Sequence, residues 1–278
     1  MMMDNREELS KVHREILDYF IEICDTYNLR WCLAYGTLLG VIRENGFIPW
    51  DYDADVFMPI DDYRKLYALC KEGKIFNNDI RIALYDNFDR YMRNFKMVKM
   101  NTTIATTEHV IGHIFIDIFP LFDFNNCDET INMIYNISRY FKNEWLGSFR
   151  NKEKIKNGNV ELFEGILQGI SNAQNNVNSS VDIEELIGYG GGIGNITIDR
   201  VKKYMMPKIE FENQLQLDFE GLSHKARIPK NYDKVLKSMY GDYKKPVVFD
   251  RSIWLFDANT DCSVYKKSGT LPNTRLWG

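Results

Sequence analysis

Three aspartates alternate along one short segment of this chain. Asp51, Asp53 and Asp55 lie in the stretch 48–58 and are separated by single residues. In an extended strand, alternate side chains project to the same face, roughly 6.5 to 7 Å apart. Like charges at that spacing repel, and each raises the free-energy cost of ionising its neighbours. A hard divalent cation such as Mg²⁺ relieves the conflict, because it takes carboxylate oxygens as ligands and keeps positions open for substrate phosphates.

Two other interpretations of this segment compete with a catalytic metal site. A calcium loop of the EF-hand type shares the alternating aspartates, but it requires Gly at its sixth position, where this chain has Val56. That loop is therefore excluded. A solvated edge strand that uses charge to block edge-to-edge association remains compatible with the spacing alone.

A fourth acid lies in an otherwise apolar stretch. Asp117 stands within Phe115–Leu121, which is apolar on both faces of a strand, a pattern typical of a strand buried in a sheet. An unpaired carboxylate there costs free energy or takes up a proton, so we expect either a metal ion or an ion pair with Lys96, Lys99 or Arg43. Acids on two neighbouring strands form the ligand set that phosphoryl and nucleotidyl transfer require.

A glycine and a threonine precede the acidic segment. Gly36 and Thr37 are expected at a turn that opens a short helix within 35–43. Glycine allows close backbone approach, and a helix N-terminus offers free N–H groups to a phosphate. This spacing is compatible with a phosphate-binding turn beside a metal site.

Both helices and strands are predicted to position these residues. Mixed helix and strand signals in this order predict an α+β or α/β core. We expect an amphipathic helix over 6–28, strands at 31–34, 48–58, 95–99 and 114–119, and a helix capped by Asp61 and Asp62 that runs to about Cys70. Beyond these we expect a polar helical stretch over 128–180, with 150–182 a mobile surface insertion, a flexible turn at 188–194, a short helix ending at Tyr240, and no usable motif after Pro246.

Bulk properties exclude several classes of protein. The formal net charge is −4, which argues against non-specific nucleic-acid binding. Five scattered cysteines and four histidines without ligand spacing support neither a disulfide framework nor a zinc site. The N-terminus lacks an apolar signal core, and the longest apolar stretch is too short to span a bilayer. We therefore expect a cytoplasmic protein, with peripheral association at the inner membrane face allowed.

Several segments of the chain carry recognisable motifs. They are Tyr35–Arg43, Gly46–Asp55, Lys96 with Thr102, Ile116–Leu121, Phe219–Gly221, and 228–246 with its Tyr240–Tyr243 run. Together these segments resemble the LicD family, which comprises bacterial phosphocholine transferases and the animal fukutin group. The similarity extends over about residues 8–250, and its first block is the most specific. Departures from the family pattern occur at Tyr52 and Ala54, and Phe122 intervenes before Asp123.

The resemblance implies a fold, a reaction and a set of site residues. It implies an α+β, nucleotidyltransferase-like mixed sheet flanked by helices, with a core over 1–125, a mainly helical part over 126–250 and a tail over 251–278, or one continuous domain. It implies transfer of phosphocholine or a polyol phosphate from a CDP-linked donor to a glycan or teichoic-acid hydroxyl, with Mg²⁺ or Mn²⁺ as cofactor. Metal binding falls on Asp53, Asp55 and Asp117, the last as ligand or as base, and substrate binding on Gly36, Thr37, Arg43, Trp50, Asp51 and Lys96.

Two rival functions share these residues. A nucleotidyltransferase proper would attack the α-phosphate of a nucleoside triphosphate and release pyrophosphate. A non-catalytic nucleotide-binding relative would need no such crowding of acids. The released product separates the first rival from phosphocholine transfer, and metal-linked donor binding tests the second.

Overall fold

A long amphipathic helix opens the chain. In the computed structural model, helix α1 spans Met2–Thr26 and buries Leu9, Val12, Ile16, Phe20 and Ile23, which recur at three- and four-residue steps. This face packs against two strands of the central sheet. The structure describes residues 2–83, 95–106, 110–125, 184–188, 205–246, 254–261, 263–264 and 267.

The central sheet is mixed, and within the described residues it has eight strands. They are β1 Cys32–Leu33, β2 Asp55–Pro59, β3 Ile80–Ala83, β4 Phe95–Thr106, β5 Val110–Asn125, β6 Glu184–Gly188, β7 Met205–Pro207 and β10 Trp254–Asp257. The path β1-β2-β5-β4-β10 forms the body of the sheet, β3 pairs with β4, and β6 connects β5 to β7. β2 and β5 are parallel neighbours, whereas β4 and β5 are antiparallel. A separate two-stranded sheet pairs β8 Gln214–Leu217 with β9 Ala226–Pro229.

Helices flank this sheet, as the predicted fold class requires. α2 spans Tyr35–Arg43 and packs on β2, and α3 spans Ile60–Lys71 and packs on β2 and β5. Two further helices lie in the described segment 205–246, α4 Lys208–Glu212 and α5 Tyr232–Tyr240. The mixed α/β architecture with flanking helices is confirmed.

Several predicted boundaries were wrong. The acidic strand begins at Asp55 and not at residue 48, although the backbone N–H of Asp117 still donates to the carbonyl of Ala54 at 2.7 Å. Asp61 and Asp62 lie in the first turn of α3 and make no cap hydrogen bond, because Pro59 occupies the cap position. Asp62 is buried and accepts a hydrogen bond from Arg30 at 2.7 Å.

The part of the chain after residue 125 contributes strands as well as helices. β6, β7 and β10 all join the central sheet, and β10 lies within the predicted tail, where it pairs antiparallel with β4. The polar helical stretch predicted over 128–180 and the proposed insertion at 150–182 lie outside the described residues, as does the glycine-rich turn beyond Gly188. The division into domains at residue 125 therefore stays a prediction.

Gly40 lets α2 pack on the loop that leads to the acids. A Cβ at this position would lie 2.4 Å from the carbonyl oxygen of Gly46 and 3.1 Å from the backbone nitrogen of Ile48. Both neighbours are backbone atoms, so they cannot move aside as a side chain would. We expect Gly40→Ala to lower the free energy of unfolding by about 1–3 kcal/mol, measured by urea denaturation.

A matched control for this substitution exists in β5. A Cβ at Gly112 would meet no atom within 4 Å, so Gly112→Ala should leave the denaturation midpoint nearly unchanged. Equal effects of the two substitutions would contradict the assigned packing role of Gly40.

Candidate active site

Three carboxylates converge on one face of the sheet. Asp55 begins β2 and lies opposite Asp117 of β5 in the parallel register, and Asp53 precedes β2 by two residues. One oxygen from each of these three side chains lies within 4.8 Å of the other two. Asp55 and Asp117 are buried and Asp53 is partly exposed. The alternation and the buried acidic strand that the sequence indicated thus meet in one cluster.

The cluster is electrostatically crowded. Burial raises the pKa of Asp53 well above its usual range, and the charges of Asp51 and Asp117 raise it further. Burial likewise raises the pKa of Asp55, with the charges of Asp53, Asp117 and Asp51 adding to the effect. Hydrogen bonding between the side chains of Asp51 and Asp53 raises the pKa of Asp53 further.

An all-oxygen donor set of this kind fits a hard divalent cation. Ionising three neighbouring carboxyl groups is unfavourable without a compensating charge, and a cation held between them supplies one. The three acids could therefore hold a metal ion.

Lys96 provides a positive charge beside the acids. Its Nζ forms an ion pair with Oδ1 of Asp117, its partner across the β4–β5 ladder. The same Nζ lies 3.5 Å from the centroid of the Phe115 ring. Of the three cations considered for Asp117, Lys96 makes this pair, whereas Lys99 pairs with Glu15 at 3.3 Å. Asp117 therefore both forms an ion pair and belongs to the acidic cluster, although the two had been expected as alternatives.

The first turn of α2 positions the acidic segment. The Oγ1 of Thr37 accepts a hydrogen bond from the backbone N–H of Asp55 at 2.8 Å, and the N–H of Ala34 donates to the carbonyl of Asp55 at 3.0 Å. A Cβ on Gly36 would lie 2.3 Å from Oδ2 of Asp51, so glycine makes room for that carboxylate. Gly36 and Thr37 thus hold the acids in place, and their predicted contact with phosphate stays a prediction.

Arg43 and Trp50 lie together near the end of α2. The guanidinium carbon of Arg43 lies 5.6 Å from the centroid of the Trp50 ring, and its Nε donates to Glu44 at 2.6 Å. A second nitrogen of Arg43 donates to the carbonyl of Tyr243 at 3.4 Å. The Tyr243 hydroxyl in turn donates to Asp233 at 2.9 Å. This contact gives the Tyr240–Tyr243 run a supporting role that sequence reasoning did not find.

Thr102 has a structural role in β4. Its hydroxyl donates to the carbonyl of Lys99 at 2.6 Å and accepts from the N–H of Ile114 at 2.9 Å. The register of β4 on β5 shifts between Lys99 and Ile104, and Asn101 has a φ of 58° there. Thr102 therefore satisfies backbone groups at an irregularity of the ladder.

The crowded acids predict an unusual pH dependence of stability. The folded-state pKa of Asp55 is raised above its usual value of 3.8, so between these two pKa values the folded state holds a proton that the unfolded state releases. Stability contributed by this group therefore falls as pH rises through that window and stays low above it. In EDTA, we expect Asp55→Asn to raise Tm over wild type by about 2–4 °C at pH 7 and by less at pH 4.5.

Differential scanning fluorimetry at several pH values checks this expectation. Saturating Mg²⁺ should reverse the order of the two proteins, because only the wild type keeps the full ligand set and gains binding free energy. A metal-free wild type that is more stable than Asp55→Asn at pH 7 would contradict the assigned electrostatics.

The fold and the acid cluster together define the class of protein. A mixed sheet that brings carboxylates of two parallel neighbours together beneath a short helix is a nucleotidyltransferase-like arrangement. Residues 28–155 match the family of the LicD/FKTN/FKRP nucleotidyltransferase domain. The chain therefore contains a LicD-family domain, as the sequence motifs implied.

Similarity to a characterised relative extends beyond that domain. The chain is 28% identical over 238 residues to the lipopolysaccharide cholinephosphotransferase LicD of Haemophilus influenzae. The aligned region covers 83% of this chain and 88% of that protein. The protein is accordingly an enzyme, a transferase of the LicD type. Among the described residues, no helix has the length and apolar character needed to cross a membrane.

Proposed function

We propose that this enzyme transfers phosphocholine from CDP-choline to a hydroxyl group of a glycan and releases CMP. Mg²⁺ or Mn²⁺ would be held by Asp53, Asp55 and Asp117. The observation that carries the proposal is the convergence of these three carboxylates within 4.8 Å in a LicD-family domain. The Haemophilus influenzae relative is a cholinephosphotransferase, which supports phosphocholine as the transferred group.

A bound divalent ion supplies positive charge that offsets the negative charge of the phosphate oxygens during transfer. The chain's own residues have separate tasks. Thr37 and Gly36 hold the backbone and carboxylate positions of the acidic segment. Lys96 places a second positive charge at the edge of the acid cluster, where it is available to a phosphate oxygen of the donor.

The reaction is an in-line displacement at the distal phosphorus of the donor. The acceptor oxygen forms a new P–O bond while the P–O bond to CMP breaks, and CMP leaves with the bridging oxygen. The acceptor proton must go to a base within hydrogen-bond reach, and the Asp117 oxygen that does not bind the ion is the proposed acceptor of that proton. Arg43 and Trp50 are proposed to orient the donor nucleotide.

A product-release assay tests this proposal. The purified enzyme is incubated with Mg²⁺ or Mn²⁺, a lipopolysaccharide-derived oligosaccharide, and CDP-choline, CDP-glycerol or a nucleoside triphosphate in parallel. CMP from CDP-choline with phosphocholine on the oligosaccharide supports the proposal, and EDTA should abolish it. Pyrophosphate from the triphosphate without CMP from CDP-choline would establish the nucleotidyltransferase alternative.

A matched pair of variants shows whether the proposed site carries the activity. Asp55→Asn should abolish CMP release, because it removes a ligand from the centre of the cluster. Asp61→Asn is the control, since this acid lies on α3 with its side chain 75% exposed. Absence of both turnover and metal-linked donor binding in the wild type would instead favour a non-catalytic relative.

A further inference from the structure

Three aromatic rings meet immediately beside the acid cluster. The Tyr35 ring lies 4.8 Å from that of Phe57 and 5.3 Å from that of Phe119, centroid to centroid. The planes of Tyr35 and Phe119 are almost perpendicular, at 85°. Phe57 is fully buried, whereas Tyr35 and Phe119 are partly exposed. We call the pair Tyr35 and Phe119 the aromatic corner, with Phe57 as its base.

The aromatic corner and the acids share one face of the sheet. Phe57 and Phe119 pair in the β2–β5 register, as Asp55 and Asp117 do two residues earlier. Side chains two residues apart on a strand project to the same face, roughly 6.5 Å apart. The rings therefore lie one step along the strands from the proposed phosphate position.

Lys96 lies toward the opposite side of the acids. Its Nζ is paired with Asp117 and lies over Phe115, two residues before Asp117 on β5. Along β5 the site thus presents a lysine charge, then the acids, then the aromatic corner. A phosphate held at the acids would have a positive charge toward one side and ring faces toward the other.

Tyr35 is held in an uncommon backbone conformation. It is the first residue of α2 and has a φ of 41°, in the left-handed region that residues other than glycine rarely adopt. Such a conformation costs free energy and persists where the surrounding structure enforces it, often at functional sites. Here it places the ring against Phe57 and Phe119, directly before the Gly36–Thr37 turn that holds the acids.

We propose that Tyr35 and Phe119 bind the quaternary ammonium group of the donor and so determine its head group. This assignment rests on the proposed function and adds the residues that distinguish choline from a polyol. The faces of aromatic rings attract cations, and a quaternary ammonium is desolvated more easily than a primary one. Because the rings of Tyr35 and Phe119 are almost perpendicular, they can present their faces to one cation from two directions.

The linker length of the donor agrees with this placement. In phosphocholine, two carbons separate the phosphate oxygen from the nitrogen, which is comparable to one same-face step along a strand. A phosphate at the acids therefore brings the ammonium group to the aromatic corner. A glycerol or ribitol group at the same place would set hydroxyl groups against ring faces, which do not replace their hydrogen bonds to water.

Calorimetric titration of the enzyme with Mg²⁺ and either CDP-choline or CDP-glycerol tests the assignment. We expect Phe119→Leu and Tyr35→Leu to weaken CDP-choline binding about three- to thirtyfold and to leave CDP-glycerol binding within about twofold. Tyr35→Phe keeps the ring and should retain the wild-type ratio of the two affinities. Tyr67→Leu is the matched control, a partly exposed ring that stacks on Phe95 at 5.7 Å instead of lining this site.

Two results would overturn the assignment. Equal loss of affinity for both donors would mean that the rings only support packing, and an unchanged affinity for CDP-choline in both leucine variants would mean that they do not contact the head group. If Phe119→Leu unfolds below the assay temperature, Tyr35→Leu with Tyr35→Phe decides the question alone. Failure of the proposed function itself is distinguishable, because the wild type would then release no CMP from CDP-choline.

Discussion

Replacing Asp53 by Asn is expected to lower kcat/KM for CMP release from CDP-choline by about 10²- to 10³-fold or more, with the fold retained. The amide preserves the size of the side chain and removes one negative charge from a cluster whose oxygens lie within 4.8 Å of one another. Affinity for the divalent ion should fall with it, because a neutral amide oxygen is a weaker ligand than a carboxylate.

The same substitution is expected not to reduce the stability of the metal-free protein. Burial and the charges of Asp51 and Asp117 make ionisation of Asp53 unfavourable, so an uncharged side chain removes a source of repulsion. We expect Asp53→Asn to fold at least as stably as wild type in EDTA while failing in turnover. This separation of activity from stability is the signature of a group placed for chemistry.

Steady-state kinetics over a range of Mg²⁺ concentrations, together with thermal melts in EDTA, measure both effects. Asp61→Asn on the surface of α3 serves again as the control and should change neither quantity. An Asp53→Asn enzyme with wild-type kcat/KM at any Mg²⁺ concentration would remove Asp53 from the site.

Replacing Lys96 by Met should produce the second large loss, about 10- to 100-fold in kcat/KM for CDP-choline. Methionine keeps a long apolar side chain over the Phe115 ring but removes the charge that now pairs with Asp117. With the donor bound, that charge is expected to act on a phosphate oxygen, so its removal should raise the barrier to transfer.

The Lys96 substitution also distinguishes the two roles of this residue, which are to pair with Asp117 and to act on a phosphate oxygen of the donor. Without the ammonium group, Asp117 no longer shares an oxygen with a competing cation, so calorimetry should show tighter Mg²⁺ binding in the absence of donor. Lys99→Met is a closely matched control, because Lys99 lies on the same strand with a side chain 22% exposed against 23% for Lys96, and it pairs elsewhere. Weaker Mg²⁺ binding in Lys96→Met, or equal losses of turnover in both variants, would contradict this account.

Local patterns in the sequence predict much of the site because they depend on neighbours in the chain. The two-residue period of a strand determines that alternate side chains share a face, and an acid inside an apolar run indicates a buried strand that must compensate a charge. From these two observations alone, the sequence predicts that Asp53, Asp55 and Asp117 form one metal site. Helical spacing predicts α1, and the family-like motif predicts α2.

Contacts between distant segments were beyond that reasoning. β10 pairs with β4 across about half of the chain, and its short apolar run carries no local signal of its partner. Arg43 reaches the carbonyl of Tyr243 through the packing of α2 near α5, which no sequence period encodes. The predicted phosphate contact of Thr37 stays a prediction, and only the structure shows that its hydroxyl accepts a hydrogen bond from the backbone N–H of Asp55.

By itself, the sequence determined that this protein has a mixed α/β core, an acidic segment, a buried acid and the motifs of its family, because these follow from residue types and short periods. Tertiary structure decided which of these groups touch. Sheet register places Asp55 against Asp117 and Phe57 against Phe119, and it pairs Lys96 with Asp117. Such register is set by packing and hydrogen bonding between strands far apart in the chain, so the neighbours of each functional group emerge only when the sheet is assembled.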